Sequence, residues 1–299
     1  MPSGVVIAGF SANPVVDWEQ LTMFPFMVNA LEGGALVALA AGLMGWFMVV
    51  RRQSFAGHTL SVMAFPGASG ALLAGLPAAA GYFFFCTVSA LVIGFARGGR
   101  QSGTLQESAV IGSVQALGLG CGFLFLTLYS GVLGGYETLL FGSFLGITRS
   151  QVGALAVVAV IALALVGAAG RPLLFASLDE PVARARRVPT RGLSLGFMVA
   201  LGLAVAATAQ ITGALLVFAL LVAPAATAQL LTNRIGASLA LTVVLGVITT
   251  WAGLAWAFFA DEPVGFCITT IAFVLYLLAR GIRARAERPR ARRPAATGS

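Results

Sequence analysis

Residues Gly213-Ala-Leu-Leu-Val-Phe-Ala-Leu-Leu-Val-Ala-Pro-Ala-Ala-Thr-Ala-Gln-Leu-Leu-Thr232 contain no charged side chain. A helix of about 20 apolar residues spans the hydrocarbon core of a bilayer, so this stretch reads as a membrane helix. Its proline, Pro224, removes a helical hydrogen bond and predicts a kink. Small residues and a polar pair, Thr227 and Gln229, follow it. That pattern suits the wall of a pathway. It also suits ordinary helix packing, which is the commoner use of any one such residue.

Similar runs fill the rest of the chain. The 299 residues are 59% hydrophobic and 9% charged, with a mean hydropathy of +0.96. So little polar surface cannot cover a soluble domain of this length. The apolar runs are 27–50, 58–76, 78–96, 108–130, 151–170, 192–210, 212–231, 236–259 and 263–280. Arg51-Arg52, Arg97 with Arg100, Arg171 with the group Arg184–Arg191, Arg234 and the Arg280–Arg293 tail fall in alternate gaps. The positive-inside rule puts them together on the cytoplasmic side. The expected fold is therefore an all-α, polytopic membrane helical bundle of nine spans, with eight as the alternative. Its N-terminus lies outside and its C-terminus inside. Residues 1–24 are an external segment, 25–282 the transmembrane domain, and 283–299 a basic, disordered cytoplasmic tail. Arg149 violates the charge rule, so 131–150 reads as a short re-entrant or surface helix covered by protein.

Composition also excludes several functions. All 18 basic residues are arginine. Without lysine the chain can form neither a P-loop nor a Schiff base, so any ATPase that drives it is another polypeptide. The net charge of +8 is accounted for by membrane orientation and carries no nucleic-acid reading. Cys86, Cys121 and Cys267 lie in apolar runs and read as small buried hydrophobes. One histidine cannot form HExxH, and no GxSxG is present, so no enzyme chemistry is expected. An ion-coupled secondary carrier remains the alternative of a different class and ranks well below, because such carriers usually use a relay of membrane-embedded titratable groups and the spans offer only one acid.

That acid is Glu32, in the first span, with Asn29 one helical turn away on the same face. The histidine is His58, in Ser54-Phe-Ala-Gly-His-Thr-Leu-Ser-Val-Met-Ala-Phe-Pro-Gly67. An ionisable group within a membrane helix is by default a functional candidate. His58 is favoured as a pathway residue over a structural one, and Pro66 in the same run as part of the wall. Glu32 divides evenly between a pathway carboxylate and a solvated group at the outer interface. The remaining candidate is the polar stretch from Arg171 to Pro189. Ser177 is the expected N-cap, Asp179, Glu180 and Pro181 fill the first turn, and Arg184, Arg186 and Arg187 lie toward the other end. Those charges suit the helix dipole. The stretch is either a docking helix for a cytoplasmic partner or a solvated basic loop.

Four blocks in this order resemble the membrane permeases of the zinc/manganese class of ATP-binding-cassette importers. They are Arg51–Gly57 closing at Phe65-Pro66-Gly67, Leu140–Gly146, Ser177–Arg184 and Gly213–Leu231, and the resemblance runs from about residue 25 to 282. It implies a homodimeric permease in the bacterial inner membrane that binds no cofactor of its own. It further implies ATPase subunits, carrying ATP and Mg, docked on Ser177, Asp179, Glu180, Arg184 and Arg187, and an external metal-binding solute-binding protein. The family has an aspartate after the glycine of the first block and a histidine four residues later, a spacing that puts both on one helix face. Here those positions are His58 and Val62. An imidazole without carboxylates is the softer site, so zinc is the expected cargo, with manganese or iron as alternatives.

Overall fold

The computed structural model describes residues 14–97, 104–129, 140, 142 and 144–287. Eleven α-helices and no strands occur among them. They are α1 (Pro14–Thr22), α2 (Pro25–Val50), α3 (Ser54–Val62), α4 (Ala64–Leu73), α5 (Ala78–Arg97), α6 (Thr104–Leu128), α7 (Arg149–Leu178), α8 (Glu180–Ala185), α9 (Thr190–Leu231), α10 (Ile235–Ala260) and α11 (Val264–Glu287). A single 3-10 turn, Phe144–Gly146, precedes α7. Seven of these helices are long and apolar enough to cross a membrane: α2, α5, α6, α7, α9, α10 and α11. The chain is thus a polytopic helical bundle. Of the expected re-entrant segment 131–150, residues 131–139, 141 and 143 lie outside the described residues, as do 1–13 and 288–299.

The run expected as a second span is two short helices. Pro66 has no N–H to give the Val62 carbonyl, and its ring crowds that turn. The α-helix accordingly stops at Val62 and restarts at Ala64. α4 then packs antiparallel to α5 with Gly67 and Gly81 face to face. A Cβ at either would overlap the other's backbone carbonyl, the close approach that small residues permit in membranes.

α9 is the helix on which the topology turns. Its 42 residues would extend about 63 Å if straight, twice the ~30 Å hydrocarbon core. It is not straight. Arg51, at the end of α2, donates to Ser194 Oγ at 3.1 Å, and Phe47 meets Phe197 with ring centroids 6.4 Å apart. At the far end of α9, the Gln229 side-chain amide donates to the Trp46 carbonyl at 3.3 Å. Both ends of α9 therefore meet the same end of α2, and the chain reverses between them. The reversal is at Gly213, with φ 75° and ψ 164°, a region open essentially to glycine alone. Gly213 is the only residue inside α9 with non-helical dihedrals. The reversal falls at the junction between the apolar runs 192–210 and 212–231, and Pro224 lies inside the second arm. Gly142 (φ 76°) packs on the corner so tightly that a Cβ there would overlap the Ile211 and Thr212 backbone.

Around this hairpin, α2 is the spine. Gly45 touches the Leu221 backbone of the second arm of α9, and Gly34 and Gly42 lie against Leu254 and Val243 of α10. At the C-terminus, α11 continues to Glu287, so 283–287, expected within a disordered tail, are helical.

Candidate functional site

His58 sits in the first turns of α3. The preceding corner is a Schellman-type stop to α2. Arg52 takes the left-handed conformation (φ 54°), its N–H bonds the Val49 carbonyl at 3.0 Å, and the Gln53 N–H bonds the Met48 carbonyl at 2.9 Å. This is the position where glycine is usual. The tight corner lays α3 back over α2, with Gly57 against the Met48 thioether. His58 is half-buried, and its ring lies edge-on to Phe218 of α9 with centroids 4.7 Å apart. Its Nδ1 is buried and has no hydrogen-bond partner. A buried nitrogen without a partner is unusual, and neutral imidazole nitrogen is a good ligand for transition ions. Val62, one turn on, is buried in the hydrophobic core. No cluster of three or more potential metal ligands occurs among the described residues.

Glu32 and Asn29 are elsewhere. Glu32 precedes Met48 by 16 residues of α2, about 24 Å along the axis, so it does not join His58 within one chain. It forms an ion pair with Arg149, and both side chains are exposed, 44% and 68% respectively. Asn29 donates to the Ile147 carbonyl at 3.1 Å. The shared face predicted for this pair is real, and it binds the segment leading into α7. That segment ends in a capping box. The Thr148 N–H donates to Gln151 Oε1 at 2.9 Å, and Gln151 N–H donates back to Thr148 Oγ1 at 3.4 Å. Arg149 thus sits in a helical first turn, where the dipole disfavours a cation, and Glu32 offsets it. This is the physical setting of the arginine that violated the charge rule.

Three expected wall residues, Pro66, Pro224 and Thr227, are buried inside the bundle. The Thr227 hydroxyl donates to the Ala223 carbonyl at 2.7 Å. Gln229 is half-buried and tied to α2 as described above.

The polar stretch after α7 forms a helix, α8, at the end of the bundle that also holds Arg51 and Ser194. Its N-cap is Asp179, whose carboxylate accepts from the Val182 N–H at 3.0 Å. Ser177, expected in that role, instead donates to the Leu173 carbonyl and accepts from Arg51 at 2.9 Å. The helix stops with a second Schellman-type corner, with Arg187 at φ 60° and the Val188 N–H on the Ala183 carbonyl at 3.0 Å. Ala183 is fully buried, while Leu178 and Val182 are 71% and 43% exposed. Arg184 and Arg187 are also exposed; the Glu180 side chain lies outside the described residues. This end of the bundle thus presents Leu178, Val182 and the arginines of α8 to its surroundings.

Sequence reasoning missed the centre of this end. Arg51 bonds Ser177 and Ser194 together and stacks over Phe197 at 5.3 Å from the ring centroid. Only its charge was legible. The two serines flanking the polar stretch were the available signal.

The polytopic bundle is a permease, the membrane subunit of a transporter whose ATPase is a separate chain, as the family it matches shows. The chain belongs to the ABC 3 transport family, which it matches over residues 23–282. It is 29% identical over 268 residues to the manganese transport system membrane protein MntC of Halalkalibacterium halodurans, covering 90% of this chain and 91% of that one. It is also 29% identical to the chelated iron transport system membrane protein YfeC of Yersinia pestis, covering 85% of each. Among solved structures it resembles PsaBC from Streptococcus pneumoniae in complex with Fab, with a TM-score of 0.76, 26% identity and coverage of 89% of this chain and 94% of that one. It is a multi-pass protein of the bacterial plasma membrane. Neither of these named relatives carries zinc in its name, so the zinc expected from His58 has no support there.

Proposed function

We propose that two copies of this chain form the membrane pathway of an ATP-driven importer for manganese or iron. The observation that carries this reading is family membership over 260 of the 299 residues, 23–282, with relatives named for manganese and chelated iron. A site built from one imidazole and no carboxylate would favour a softer ion, but transport needs transient rather than tight binding, and selectivity among these ions rests on geometry and availability more than affinity. The arginine-rich end, with α8, faces the cytoplasm by the positive-inside rule. The α3–α4 pair and the two arms of α9 then bring the crossings to nine, N-terminus out and C-terminus in.

ATPase subunits would dock on α8 through Leu178, Val182, Arg184 and Arg187, with Asp179 fixing the helix start. An external solute-binding protein would deliver the ion to the opposite end, where Glu32 and Arg149 lie. His58 would line the pathway between them. Arg184→Glu in the permease, co-expressed with its ATPase, tests the docking assignment. Loss of ATPase co-purification is expected; undiminished co-purification and ATPase stimulation would remove α8 from this role.

A further inference from the structure

We infer that Arg51 is a positioning residue that ties the docking helix to the helix carrying His58. The inference rests on the reading of α8 as the ATPase contact. α8 and its flanking residues, 179–189, lie between α7 and α9. Ser177 lies two residues before the start of that excursion and Ser194 five after its end. One guanidinium bonds both, at 2.9 and 3.1 Å, and is seated on the Phe197 ring, 5.3 Å from its centroid. Arg51 is also the C-cap of α2, and the corner at Arg52 and Gln53 leads directly into α3. A displacement of either end of the α8 excursion therefore meets the corner from which α3 departs, with no intervening loop to absorb it.

The chemistry suits a fork. A planar guanidinium presents several donors in fixed directions, so it can hold two hydroxyls at once; a lysine ammonium is a point donor on a flexible stem. Both serines also sit on helices, Ser177 in the last turn of α7 and Ser194 in the second turn of α9, so the clamp joins three helix ends rather than loops. A contact couples two sites only if its free energy differs between the two states, and the test must read coupling rather than stability.

The permease–ATPase complex in proteoliposomes, with its solute-binding protein and ⁵⁴Mn²⁺ as probe, supplies that reading as ions moved per ATP hydrolysed. For both Arg51→Gln and the paired Ser177→Ala/Ser194→Ala, the ATPase should co-purify and hydrolysis should continue. Ions per ATP should fall about tenfold or more, the worth of one hydrogen bond to a charged group. Adding Arg51→Gln to the double serine variant should change little further, and Arg51→Lys should recover only part of the loss. A wild-type ratio in the double serine variant would overturn the inference, even if Arg51→Gln fails to assemble. So would loss of the ATPase from the double serine variant, which would make the clamp part of docking itself. If Arg184→Glu leaves the ATPase bound and stimulated, the docking reading fails instead, and the two failures are distinct.

Discussion

Replacing Gly213 by alanine attacks the reversal of α9 on which the topology rests. The residue holds φ 75° and ψ 164°, and a side chain there costs about 1–3 kcal/mol in strained backbone. At about 1.4 kcal/mol per tenfold, the folded-to-unfolded ratio should fall roughly 5- to 140-fold. Gly142 packs on the same corner, and its Cβ would overlap the Ile211 carbonyl. A Gly142→Ala change should therefore also destabilise, and the pair should be non-additive because the two residues touch. The control is Gly196 in the first arm of α9, helical and with open space where its Cβ would stand. Alanine there should stabilise by about 0.5–1 kcal/mol. The assay is SDS-titrated unfolding in mixed micelles, followed by far-UV circular dichroism. A Gly213→Ala protein within about 0.5 kcal/mol of wild type would refute the corner, because a straight or gently bent α9 would welcome alanine.

Three further outcomes follow from the ends of the bundle. Asp179→Ala removes the cap bonded to Val182 and should cost α8 about 0.5–2 kcal/mol, read as reduced ATPase stimulation with unchanged permease yield; full stimulation would contradict it. Arg187→Gly keeps the left-handed corner, where φ is 60°, while removing the charge. If charge serves docking, co-purification should become more salt-sensitive, and an unaltered salt profile would show that the position matters only for its backbone. Glu32→Gln breaks an exposed pair with Arg149 worth at most about 1 kcal/mol, so stability should change by less than that and His58-dependent transport should persist; a collapse of transport would place Glu32 on the pathway.

The sequence made the class of fold plain because apolar length needs no partner to be read. It also separated 192–210 from 212–231, and the hairpin at Gly213 accords with that split. Pro224 lies within helical dihedrals, whereas only glycine can occupy the dihedrals of Gly213. Ser177 was read as a cap from spacing, but Asp179 lies nearer the first turn of α8, and Ser177 is drawn to Arg51. Glu32 was legible as an acid on the face of Asn29. Its partner Arg149 was not, because 117 residues separate them and nothing local signals that contact. The zinc expectation came from ligand softness alone, which the relatives named for manganese and iron do not support.

The most direct test of the account is ion uptake by the permease reconstituted in liposomes with its ATPase and solute-binding protein, comparing Mn²⁺, Fe²⁺ and Zn²⁺ with and without ATP. The account predicts ATP-dependent accumulation of manganese or iron that vanishes without the ATPase chain and slows in His58→Ala. Uptake that proceeds on an ion gradient without the ATPase, or the absence of ATP-dependent uptake of any of these ions, would contradict it.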